Sequence, residues 1–177
     1  VCEASRIDSN SISSDLNSLE IDLFGEAIEA ASPRDGEGRI MADACDVDEE
    51  RFARRLSSRL GDVWSSWHMI ARHGMDAEDV VTGAASILAK VKRDAEVAQL
   101  ESELGIRLGS GYPSDRITRQ AVQELVSDGM PHDCLRWSWS TVSDVWQEVR
   151  GGPVPVRSAN EAATVQPSLD EWSAHEA

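Results

Sequence analysis

The stretch "RIMADACDVDEERFARRLSSRLGDVWSSWHMIA", Arg39 to Ala71, holds the signature of an α/β protein. Arg39-Ile40-Met41-Ala42 is a short, mostly apolar run after a Gly-containing loop, and it reads as a buried strand ending at Asp43. Asp48 then stands where it can cap a helix that carries Phe52, Leu56 and Leu60 on one side. A second strand is expected from Trp67 to Ala71. Strand, helix and strand in this order predict a layered α/β structure rather than a bundle.

Outward from this unit, Leu16, Leu19, Leu23, Phe24, Ala27, Ile28 and Ala31 follow helical spacing, and Ser32-Pro33 ends the pattern. Val1 to Ala4 reads as the end of a strand. Val81 to Leu104 is expected to be one long helix, and its small, apolar opening "TGAASILA" implies a buried, close-packed start followed by a solvated end. Two further helices are expected near Asp115 to Ser127 and Ser140 to Val149, so the C-terminal part is helical. The predicted domain is 1–150. Residues 151–177, rich in Gly, Pro, Ala and polar residues, read as a disordered acidic tail.

With 41% hydrophobic residues in 177, the chain can bury a substantial core. No apolar run approaches a membrane span, and no cleavable leader is evident, so a cytoplasmic location and no membrane partner are expected. Cys2, Cys45 and Cys134 are far apart and in no metal-binding spacing, which agrees with reduced, structural thiols. The net charge is −15, and Arg supplies 15 of the 17 cations. An acidic, lysine-poor surface suits a salt-rich, halophilic cytoplasm, or alternatively an ordinary acidic protein with its own protein partner.

The side chains suited to chemistry lie in loops. Asp43 stands at the end of the first strand and Asp76 just after the second; carboxylates at such strand ends converge on the edge of a sheet where ligands bind, and can hold divalent cations. Asp46, Asp48, Glu49, Glu50, Glu78 and Asp79 crowd the same loops, so a solvated charge or a helix cap is the competing reading. His73, three residues before Asp76, either positions a water or is a satisfied structural histidine. Thr82 or Gly83 opens a helix whose free N–H groups would accept a phosphate, with Lys90, Lys92 and Arg93 further along it. Tyr112, the single tyrosine, sits in the turn "LGSGYPSDRITRQ", held on stiff backbone before a helix capped by Asp115.

Four segments in this order, "MADACDVDEERFARR", "HGMDAEDVVTGAASILAKVKRD", "LGSGYPSDRITRQ" and "LRWSWSTV", resemble the archaeal type of ribonuclease HII, along a likeness that runs from about Val1 to Val149. The resemblance implies a ribonuclease H-like mixed sheet with flanking helices. It also implies an endonuclease that cuts the RNA strand of RNA–DNA hybrids, and DNA at embedded ribonucleotides, by two-metal-ion chemistry with Mn²⁺ or Mg²⁺. On this likeness Asp43 and Asp76 match the third and fourth metal-binding carboxylates of the family, and Tyr112 the tyrosine that packs on the sugar at the RNA–DNA junction. Lys90 and Arg93 are implied as phosphate contacts, and Ser110 and Gly111 as positioning the strand beside the ring. The family's Asp-Glu-Ala-Gly-Arg-Gly segment, with its other two carboxylates, has no counterpart in these residues. The chain therefore reads as an N-terminally truncated form of a haloarchaeal enzyme, inactive alone. The alternative is a catalytically inactive module that binds nucleic acid or protein.

In the tail, "QPSLDEW" spaces Gln166, Leu169 and Trp172 at intervals of three. This resembles the motif by which repair enzymes dock on the sliding clamp, in which an aliphatic and an aromatic side chain on one side of a 3₁₀ turn enter an apolar pocket. Ser173 replaces a second aromatic, and the competing reading is a chance pattern.

Overall fold

The computed structural model describes residues 1–31 and 36–157. The chain opens with helices α1 (Ala4–Ser13) and α2 (Leu16–Ala31), then runs through strand β1 (Gly38–Asp43), helix α3 (Glu49–Leu60) and strand β2 (Trp67–Arg72). A one-turn helix α4 (Met75–Glu78) leads into the long helix α5 (Val80–Leu104), followed by α6 (Arg116–Leu125) and α7 (Ser140–Arg150). Among the described residues the sheet is the parallel pair β1 and β2, with Gly38 opposite Trp67 and Asp43 opposite Arg72. Parallel strands need a crossover, and α3 supplies it.

The crossover folds as its sequence dictates. The Asp48 side chain accepts the Arg51 amide at the N-terminus of α3, with Glu49 and Glu50 in the favourable first turn. Phe52, Leu56 and Leu60 then face the sheet and join Ile40, Ala42, Trp64 and Ile21 in one core. Phe52 is 1% exposed and meets Phe24 of α2 edge-on, with ring centroids 5.4 Å apart. A second core fills the C-terminal helical part, where Val122, Val126, Val142 and Val145 pack with Leu135, Trp137 and Trp146.

Two expectations are overturned. Val1 to Ala4 is not a strand: the chain enters helix α1, whose Asp8 is buried and accepts the amides of Trp137 and Ser138 at 2.9 and 2.8 Å. The start of α5 is not buried: Thr82 is covered, but Val81, Ile87, Leu88 and Val91 are each 60% exposed or more. The small residues permit close packing there, but no element among the described residues covers them. Beyond α7, Val154 packs on the second core and the Arg157 guanidinium reaches the buried Asp8 carboxylate at 3.0 Å. Residues 158–177, with Gln166, Leu169 and Trp172, lie outside the described part. Within that part no helix is long and apolar enough to cross a membrane.

Candidate metal and nucleic-acid site

Asp43 closes β1, and the loop after β2 turns back onto it. The Met75 amide donates to Asp43 Oδ1 at 3.2 Å, which brings Asp43 against the residue that immediately precedes Asp76. Met75 is buried and anchors α4, whereas Asp76 is exposed in its first turn. Helix α5 then packs so tightly on this loop that a Cβ at Gly83 would stand 2.7 Å from the Asp76 carbonyl oxygen. Only glycine lets α5 start that close.

Four of the other acids of these loops have structural tasks. Asp48 caps α3, and Asp79 caps α5 by accepting the amides of Val81 and Thr82 at 3.0 and 2.8 Å. Asp46 is buried and paired with the Arg51 guanidinium, whose hydrogen bond holds its carboxyl down at about 2. Glu49 accepts the His73 amide at 2.7 Å and lies 3.2 Å from Nδ1 of the same ring, while His73 Nε2 donates to the Asp46 carbonyl at 2.7 Å. His73 is thus a satisfied structural histidine. The helix-start phosphate site expected at Thr82 or Gly83 is corrected as well: α5 begins at Val80, and its free N–H groups are taken by the Asp79 carboxylate, which repels an anion.

The second half of the site is a groove of about 630 Å³ between α5 and the turn that carries Tyr112. Its wall on α5 includes Lys90, Arg93, Asp94 and Glu101, and its opposite wall Gly109, Ser110 and Tyr112. The Tyr112 ring is 62% exposed and faces outward. Its turn is tied down on both sides. Asp115 Oδ2 accepts the Ser110 amide at 2.7 Å, and these hydrogen bonds hold the Asp115 carboxyl down at about 2. Thr118 Oγ1 accepts the Gly111 amide at 2.9 Å, and Glu101 accepts that of Leu108 at 2.7 Å. Lys90 pairs with Asp94 at 2.8 Å, one turn along α5. Arg93 Nη2 donates to the Ser110 carbonyl at 2.6 Å, and its guanidinium lies 5.7 Å from the Tyr112 ring centroid.

The structure thus brings Asp43 to the Asp76 loop, and groups Lys90, Arg93, Ser110 and Tyr112 on one groove, whereas Gly111 does not line it. Thr118 and Glu101, which hold the turn, escape sequence reasoning because each bonds a backbone amide seven residues away, across the end of a helix, where no periodic pattern points.

A family model for ribonuclease HII matches residues 2–142. A ribonuclease HII from Haloarcula marismortui is 43% identical over 141 residues, which are 79% of this chain and 63% of the relative. One from Thermococcus kodakarensis is 37% identical over 158 residues, covering 89% of this chain and 64% of the relative. The chain thus spans a little under two thirds of the length of these curated relatives. Among solved structures, the ribonuclease H2 from Pyrococcus horikoshii superposes with a TM-score of 0.71 at 31% identity, covering 85% of this chain and 68% of that one. The ribonuclease HII in the PCNA:RNase HII complex from Archaeoglobus fulgidus gives 0.68 at 30% identity, covering 81% and 65%. The family model spans most of the chain and relatives share about 40% of its residues, so the chain belongs to the ribonuclease HII family.

Proposed function

We propose that this protein is a divalent-metal-dependent endonuclease that cuts the RNA strand of RNA–DNA hybrids, and DNA at embedded ribonucleotides. The observation that carries this reading is the meeting of Asp43 with the Asp76 loop at the end of a parallel strand pair, in a setting where the neighbouring acids are occupied as caps and ion pairs. Two carboxylates are hard oxygen donors. They suit Mg²⁺ or Mn²⁺, since Mg²⁺ is commonly held by one or two carboxylates, with waters and substrate phosphate completing the shell. Among the described residues no group of three or more His, Cys, Asp or Glu side chains is placed to hold a metal, so the pair is part of a site rather than a closed cage. When bound, such ions supply Lewis acidity that activates the attacking water and stabilises the leaving 3′ oxygen.

The chain's own residues do the rest. Asp43 and Asp76 hold the cations, and the Met75 amide fixes one Asp43 oxygen so that the other is free to bind. Tyr112 presents its ring to a ribose, Ser110 and Gly111 guide the strand beside it, and Lys90 and Arg93 bring positive charge to the helical wall of the groove. The 15 arginines and the −15 net charge favour a cytoplasm rich in salt, where long-range repulsion of a polyanion is screened within about 3 Å at 1 M. Cleavage of hybrids is accordingly expected to survive or rise in molar KCl; a steep loss with salt, as for a basic nuclease, would count against the halophilic reading. The Archaeoglobus relative in complex with PCNA supports a sliding clamp as partner, reached through Gln166, Leu169 and Trp172.

A second reading, a module that binds duplex without cutting it, is favoured by the two-carboxylate donor set of these residues. Incubating the full-length protein, rather than these 177 residues alone, with an RNA–DNA hybrid and with a duplex carrying one ribonucleotide, with and without Mn²⁺, separates the two. The nuclease reading expects metal-dependent scission confined to ribonucleotide positions. Retarded mobility of the duplex without any scission supports the binding module.

A further inference from the structure

Arg93 sits at the junction between α5 and the Tyr112 turn, and it touches the turn in two ways. Nη2 donates to the Ser110 carbonyl at 2.6 Å. The guanidinium carbon lies 5.7 Å from the centroid of the Tyr112 ring, within cation–π range. Between these two contacts stands Gly111, in the left-handed region at φ +77°, where a Cβ would meet Arg93 Nη2 at 2.9 Å. The guanidinium therefore packs closely against the backbone of the turn.

The remaining ties of the turn hold backbone only. Asp115 and Thr118 take the amides of Ser110 and Gly111, and Glu101 that of Leu108. Arg93 holds both the backbone and the ring, and it does so from α5, the helix whose first turn rests on the Asp76 carbonyl. From this geometry we infer that Arg93 is a positioning residue, which sets the Tyr112 ring relative to the carboxylate pair by bracing the Ser110–Tyr112 turn against α5. The inference rests on the nuclease reading for its consequence in catalysis, but the brace itself does not.

A phosphate contact and a brace make different demands on the side chain. A phosphate is satisfied by any nearby cation, so lysine would serve. The brace uses one N–H on a carbonyl and the flat face of the guanidinium near a ring, a combination that a lysine ammonium cannot reproduce.

The single tyrosine of the 177 residues makes the test direct, because 3-fluorotyrosine gives one ¹⁹F resonance from the protein. In Arg93→Ala and in Arg93→Lys this resonance is expected to shift and narrow as the ring gains motion. An unchanged position and width in Arg93→Ala overturns the inference, whatever the enzyme does. On a duplex with one embedded ribonucleotide, Arg93→Ala is expected to lower kcat roughly tenfold with little change in KM, and to have little further effect in a Tyr112→Ala background. Additive losses, or rescue by Arg93→Lys together with a salt dependence that weakens in Arg93→Ala, assign the side chain to phosphate and overturn the inference. If the full-length unmodified protein does not cut the duplex, the nuclease reading fails, and the fluorine signal still decides the brace.

Discussion

Asp46 is an acid already committed to a structural partner, Arg51. Its carboxyl is buried beside Arg51, and that hydrogen bond lowers it from the ordinary 3.8 to about 2. A depressed folded-state value means stabilisation that is present above the ordinary value and lost as pH falls through the folded one. The melting temperature of the protein should therefore exceed that of Arg51→Ala at pH near 5, and the gap should close as the pH falls toward about 2. Circular dichroism melts across that range check it; a gap that persists undiminished at the acid end contradicts the pairing. Residue types alone did not separate Asp46 from Asp43. Both are aspartates near a strand end, and only the Arg51 contact, five residues on across a helix cap, shows which of the two is already occupied.

The elements of regular structure were largely readable. The helix over Leu16 to Ala31, the strand-helix-strand unit, the long helix and the two C-terminal helices all appear where periodicity and caps put them, because each has a clear apolar face or a capping Asp. Helix α1 was not readable. "ASRIDSNSIS" is mostly polar, and it is tied down by contacts of Asp8 with Trp137 and Ser138, about 130 residues away in sequence, which no local pattern reports. The start of α5 misled in the opposite direction, since a stretch of small apolar residues has the same sequence whether covered or open. Within it, Gly83 lies directly against the Asp76 carbonyl. Gly83→Ala should push the two apart, lowering cleavage at least tenfold while the far-ultraviolet spectrum is kept, because a displaced ligand costs rate without costing the helix. Cleavage at the unmodified rate would show that the loop absorbs the methyl group and that the close approach is incidental.

At the scale of the whole molecule, the two ends of the described chain are joined by one buried ion pair. Arg157, with its side chain 12% exposed, bonds Asp8 Oδ2 at 3.0 Å, lies 4.5 Å from the Trp137 ring centroid and donates to the Leu135 carbonyl at 2.8 Å. Removing the carboxylate leaves one guanidinium N–H and two buried amides without their acceptor, so Asp8→Ala should lower stability by about 3 kcal/mol in urea unfolding. A change near zero would mean that water replaces the carboxylate at no cost. This closure holds the C-terminal core to α1, while the first core holds β1 and β2, and α5 runs from the carboxylate loop to the Tyr112 groove. The metal reading depends on that arrangement, and its most direct test is cleavage of a duplex carrying one ribonucleotide by the intact protein, by Asp43→Asn and by Asp76→Asn, at saturating Mn²⁺. The expected result is metal-dependent scission that falls by at least about a hundredfold in each variant with the fold unchanged, as loss of a charged metal ligand requires. Scission at the unmodified rate in either variant, or scission that needs no divalent cation, would contradict it.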